Sequence, residues 1–170
     1  MFLIIRPLRL ILKALITDSK PSQLALGFAF GILIGLVPKG NLLAIAPGVI
    51  MAATRANLGV AAATILCISL ASPLVDPVTH AVGHFLLSMP QLAETWTWLY
   101  NQPVVPWTGF NNTVVLGSFV CGLMLMYPCH RLAKRFFKKY SERFAERAKR
   151  YWLTRVLFGA EWADRLGTAA

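Results

Sequence analysis

LALGFAFGILIGLVPKGNLLAIAPGVIMAATRANLGVAAATILCISLASPLV, residues 24–75, carries two charged side chains in fifty-two positions, Lys39 and Arg55. Widened to Pro21–His130, the stretch gains only Asp76 and Glu94. A soluble domain is about one-quarter charged. A chain of 170 residues has too much surface to hide so long an uncharged run. A composition 56% hydrophobic and 14% charged excludes intrinsic disorder as well. The sequence therefore reads as an all-α, polytopic integral membrane protein.

Within the stretch, Leu24–Val37 and Asn41–Thr54 are apolar runs of fourteen residues on either side of Pro38-Lys39-Gly40. As helix, each arm covers about 21 Å, short of the roughly 30 Å of hydrocarbon that a span of about 20 residues crosses. Residues 24–54 read as a glycine-rich re-entrant helical hairpin, with two tilted spans and a tight outer turn as the alternative. Gly27, Gly31 and Gly35 form one small-residue stripe, and Ala44, Gly48 and Ala52 form another. Small residues let helix backbones approach in lipid, so the two arms are expected to pack through these stripes.

Residues 56–75 contain no charge and form the clearest span, with a stripe of Gly59, Ala63, Cys67 and Ala71. Ser72-Pro73 breaks it. Asp76-Pro77 then supplies an N-cap and a first-turn proline for a short helix, Val78–Met89. Residues 78–112 form an outer interfacial segment, since Trp96, Trp98, Tyr100, Trp107 and Phe110 favour the membrane–water boundary. The last span covers 113–130, where Pro128 kinks or ends it.

Seventeen Lys and Arg against seven Asp and Glu give a net charge of +10. Nine of those bases lie between Arg131 and Arg150, directly after an apolar run. That adjacency favours an anionic membrane surface over nucleic acid. Residues 131–170 thus read as a basic cytoplasmic C-terminal helix and tail, with Arg131, Lys134, Arg135, Lys138 and Lys139 against the membrane surface. At the other end, Arg6, Arg9 and Lys13 share one helical face. Residues 1–18 read as an interfacial amphipathic helix, not as a cleaved signal peptide. Basic residues at both ends place both termini in the cytoplasm. Two to three transmembrane helices in a bacterial inner membrane satisfy that layout, with Asp76, His80 and His84 on the outer side.

Pro21, Ala25-Leu26-Gly27-Phe28-Ala29, Gly31, Gly35-x-x-Pro38, Gly40 and Arg55-x-Asn57 together resemble the bacterial membrane family called domain of unknown function 2062. The resemblance covers about residues 20–90. Where that family carries Asn-Pro followed by threonine, this chain has Ser72-Pro73 and Asp76-Pro77-Val78-Thr79. The resemblance implies a short single-domain relative in a bacterial membrane and assigns no activity.

Three constellations could carry chemistry. Lys39, Gly40 and Asn41, with Arg55, form a candidate site for an anion or a lipid head group. A charge at membrane depth requires a partner, and a helix start favours negative charge. The bland alternative is a polar turn with Lys39 in water. Asp76, His80 and His84 recur at i, i+4 and i+8 and form a candidate proton site. Two histidines at i, i+4 can also bind a metal, but without an HExxH pattern they read otherwise as a cap plus interfacial histidines, and no metal site is expected. The third constellation is the basic tail. The three cysteines show no metal or disulfide spacing and read as small packing residues. No nucleophile elbow, Walker loop or nucleotide fingerprint is present, so neither an enzyme nor a cofactor is expected. The functional expectation is a small inner-membrane protein that handles lipid or a lipid-linked anion. It would act as a transporter or as the membrane helper of a larger lipid-transport or envelope assembly, with a protein partner or as a homo-oligomer. The alternatives are a structural or assembly factor recruiting a partner through its basic tail, and a membrane enzyme acting on a lipid phosphate.

Overall fold

Pro21 opens the first helix, α1 (Pro21–Leu36), at a first-turn position where its missing N–H costs nothing. Gln23 closes that start, its side-chain oxygen accepting from the Lys20 N–H at 3.1 Å. The computed structural model describes residues 20–150, with side chains to Tyr140. The expected interfacial helix of residues 1–18 and the tail beyond residue 150 lie outside them. Among the described residues there are five α-helices, two short 3-10 turns and no strand.

Three of the helices begin on an asparagine. Asn41 caps α2 (Leu42–Ala52), its Oδ1 accepting from the Ala44 N–H at 2.9 Å. Asn57 caps α3 (Leu58–Leu87) by the same bond to Val60, also 2.9 Å. Asn112 accepts from Val114 and Val115 at the start of α5 (Thr113–Arg150). Each side chain satisfies a backbone donor that a helix start leaves free. Gly40 sits in the break between α1 and α2 at φ +95°, a region that disfavours a side chain.

The two proline pairs do not end a helix. The expected division into a span at 56–75 and a short helix at 78–89 is corrected: α3 is one helix of thirty residues. Asp76 is an interior residue of it, not an N-cap. Pro73 deprives the Ser69 carbonyl of its usual backbone donor, and the Ser72 hydroxyl replaces it at 3.1 Å. Likewise Pro128 lies inside α5, which runs unbroken from the apolar span into the basic segment.

α1 is the centre of the bundle. Eleven of its sixteen residues are buried, as expected of a helix apolar on every side. Its glycines do not face α2. Gly27, Gly31 and Gly35 lie against Asn57, Thr64 and Ile68, so α1 runs parallel to α3. A Cβ on Gly48 would meet nothing within 4 Å, and Ile45, Val49 and Ile50 of α2 are exposed. The expectation that the two arms pack through matching stripes is therefore corrected. The expected stripe on residues 56–75 is inward only at its start: Gly59 is buried and Ala63 half-buried, whereas Cys67 and Ala71 are exposed, and Val60, Ala61 and Thr64 are buried beside Gly59.

α5 returns antiparallel to both neighbours. Gly122 meets Leu33 of α1, and Val37 clusters with Val115. Further along, Gly117 meets Thr79 and Gly83 meets Thr113. Between α3 and α5 runs α4 (Ala93–Tyr100) with its flanking turns Pro90–Leu92 and Val105–Thr108. Phe110 is buried under Trp96 and Tyr100, and the Trp96 indole N–H donates to the Leu86 carbonyl at 3.0 Å. This lashes the aromatic segment to the end of α3.

Leu58–Leu87 and Thr113–Tyr140 are long and apolar enough to cross a membrane. Their most apolar windows are only 22% and 28% buried, unlike the core helices of a soluble fold. The hydroxyls of Thr64, Thr79 and Ser118, all buried, donate to carbonyls of their own helices. Hydroxyls inside an apolar environment take that route when no water is at hand.

Candidate functional site

The hairpin closes at its root. The Asn57 N–H donates to the Gln23 carbonyl at 3.0 Å, bringing the chain back to the first turn of α1. Its tip sits near the start of α5, where Asn41 lies beside Gly109. Residues 21–57 therefore run out along α1 and return to the end from which they left.

That path separates two residues the sequence grouped together. Lys39 stands at the tip, whereas Arg55 is exposed at the root. The sixteen residues of α1 between them amount to about 24 Å. They cannot hold one anion, and the expected site is corrected on that point. Lys39 is further committed within the tip. Its ammonium donates to the carbonyls of Ile34, Val37 (2.8 Å) and Gly35 (3.3 Å). These are the carbonyls left unpaired where α1 ends, and a cation is favoured at that negative end. Lys39 is a helix C-cap, a role neither of the two expectations included. Asn41 is likewise engaged, with Oδ1 on Ala44 and Nδ2 donating to Pro38 at 2.7 Å.

The histidines are brought together. His80 and His84, one turn apart on α3, have ring centres 6.0 Å apart. They line an open cavity of about 530 Å³ with Ala81, Phe85, Ser88, Met89 and Pro90. His80 Nδ1 lies 2.6 Å from the hydroxyl of Thr113, on the facing helix. Asp76, a turn earlier, is not part of that wall. Among the described residues no three His, Cys, Asp or Glu side chains gather as a metal cluster.

The basic stripe is exposed throughout: Arg131, Lys134, Arg135, Lys138 and Lys139 all face outward. Arg131 stacks over the Tyr127 ring at 5.2 Å, and Phe136 packs on Tyr140. Because α5 is antiparallel to α1, this stripe lies at the end that holds Lys20 and Arg55. The tip of the hairpin, the histidines and the tryptophans lie at the other end.

Sequence reasoning missed the tightest contact of the bundle. Thr79-His80-Ala81-Val82-Gly83 and Thr113-Val114-Val115-Leu116-Gly117 cross antiparallel. Each glycine lies against the backbone carbonyl of the other helix's threonine. The signal was available as two small-xxx-small pairs, Thr79 with Gly83 and Thr113 with Gly117.

No solved structure matches the chain. An "Uncharacterized protein" of Treponema pallidum (strain Nichols) is 27% identical over 130 residues, covering 76% of this chain and 80% of the relative. Residues 6–146 match the family described as "Uncharacterized protein conserved in bacteria (DUF2062)". That match takes in α1 with its glycines, the Arg55-x-Asn57 turn, both long helices and the start of the basic stripe, and by it the chain belongs to the DUF2062 family.

Proposed function

We propose that this chain is a small multi-pass protein of the bacterial inner membrane, with both termini cytoplasmic, that handles a lipid or a lipid-linked anion. It acts as a transporter or as the membrane helper of a larger lipid-transport or envelope assembly. The observation that carries the reading is the outer surface of α5. An exposed apolar face, with Leu123, Met124, Leu125 and Tyr127, runs without a break into the exposed bases Arg131, Lys134, Arg135, Lys138 and Lys139. Acyl chains lie against the first part and anionic head groups against the second. Each base near an anionic surface contributes about 1 kcal/mol of attraction. Lys20 and Arg55, at the same end, extend that surface. Lys39 is left out of this surface, because it stands at the other end of the bundle and its ammonium donates to the last carbonyls of α1.

The test is lipid retention by the full chain purified in mild detergent. Native mass spectrometry is expected to find anionic phospholipid bound in preference to phosphatidylcholine. Reversal of Lys134, Arg135, Lys138 and Lys139 to Glu is expected to abolish that preference. Equal retention of both lipids by the parent would refute the reading.

A second reading, a structural or assembly factor, is favoured by α2. Its exposed Ile45, Val49 and Ile50, and the open space at Gly48, leave a helix face on which a partner helix or a second copy could pack. Crosslinking from a cysteine at position 49 separates the two readings.

A further inference from the structure

We propose that His80 and His84 hold a divalent transition-metal ion at the end of the bundle opposite the basic stripe. The site goes beyond the lipid-handling reading and stands or falls without it. Residues four apart on a helix share one face, and these two ring centres are 6.0 Å apart. An ion about 2.1 Å from one nitrogen of each ring sets the ring centres roughly 5–6 Å apart. Small rotations of the rings reach that geometry.

The facing helix supplies the second element. Thr113 Oγ1 holds His80 Nδ1 at 2.6 Å. With Nδ1–H donating to that hydroxyl, the free Nε2 is the one available to a metal. A partner on the other nitrogen is what orients a ligating histidine and fixes its tautomer. The third element is the cavity of about 530 Å³ that the two rings line. It leaves coordination positions open to water or to an incoming oxygen ligand.

The donor set selects the ion. Two neutral imidazoles suit Zn²⁺, Cu²⁺ or Ni²⁺. Mg²⁺ and Ca²⁺ require oxygen donors, and no carboxylate lines the cavity. With no third His, Cys, Asp or Glu gathered there among the described residues, the ion is held weakly and exchangeably.

The experiment uses the tag-free full chain in detergent, stripped with chelator and titrated with Ni²⁺ by calorimetry. One saturable ion per chain is expected. His80→Gln and His84→Gln are each expected to weaken it about 10–100-fold, and Thr113→Val to weaken it by less while both ligands remain. His130→Gln, on α5, is expected to leave it unchanged. A readout without substitution runs alongside: Ni²⁺ is expected to protect His84 of the parent from diethylpyrocarbonate. No saturable binding by the parent, binding that survives in the His80→Gln/His84→Gln double variant, or equal loss in His130→Gln would each overturn the site.

Discussion

The backbone carbonyl of Asn57 occupies the space that a Cβ on Gly27 would take. Two positions thirty residues apart in the sequence are thus one contact, which shuts the root of the hairpin against α1. The same Asn57 donates its N–H to Gln23 and caps α3 with its side chain. Gly27→Ala pushes a methyl into a backbone that cannot swing aside, and overpacking of this kind costs about 1–3 kcal/mol. Gly48→Ala meets open space inside a helix and is expected to stabilise by about 0.5–1 kcal/mol. Thermal melts of the two variants in the same detergent check the contrast. Equal melting temperatures would mean that Gly27 is not a packing position.

Gly83 and Gly117 are expected to behave as one unit. Each lies against the carbonyl of the threonine across the crossing, Thr113 and Thr79 respectively. Either alanine forces α3 and α5 apart, and once they are apart the second alanine meets less. The double variant is therefore expected to lose less stability than the sum of the singles, by about 0.5 kcal/mol or more. Strict additivity would show that the two contacts are independent.

The apolar runs at 56–75 and 113–130 and the break at residues 37–41 were legible in the sequence, because an uncharged run and a Pro-Lys-Gly turn are local signals. What faces what was not. Gly27, Gly31 and Gly35 announce close packing but not the partner, and α3 lies closer to them than the neighbouring arm does. Pro73 and Pro77 misled because Ser72 supplies the donor that Pro73 lacks, a repair that depends on one rotamer. Lys39 looked available for an anion because its acceptors, the last carbonyls of α1, are backbone atoms that every sequence has. The pairing of His80 with His84 followed from their spacing, whereas Thr113 required the fold.

Lys39 is expected to contribute to stability. Lys39→Met keeps the length of the stem and removes the ammonium from the Ile34 and Val37 carbonyls, while the Ser69 hydroxyl still donates to Gly35 at 3.3 Å. Loss of a cation at a helix C-terminus costs about 0.3–1 kcal/mol, rising to about 2 in part-buried settings. The melting temperature is expected to fall, and anionic-lipid retention to stay as in the parent. The opposite pattern, an unchanged melt with lipid retention lost, would return Lys39 to the role of an anion ligand.

Orientation in the membrane is the last prediction, and the charge of the two bundle ends decides it. Lys20, Arg55 and the exposed bases of α5 lie at one end. Glu94, His80, His84, Trp98 and Trp107 lie towards the other, where Lys39 is turned back onto α1. Basic segments near the ends of spans stay in the cytoplasm, so the root of the hairpin and the basic stripe are expected to face inward. In a background with Cys67, Cys121 and Cys129 changed to Ser, Gln102→Cys is expected to react with a membrane-impermeant maleimide added to intact cells. Thr54→Cys and Lys138→Cys are expected to react only after the membrane is opened. Because Thr54 follows α2 and Gln102 follows α4, the pair also counts crossings: α3 must carry the chain from one side to the other between them. Labelling of both from outside would invert the root of the hairpin and remove the basic stripe from the cytoplasmic surface.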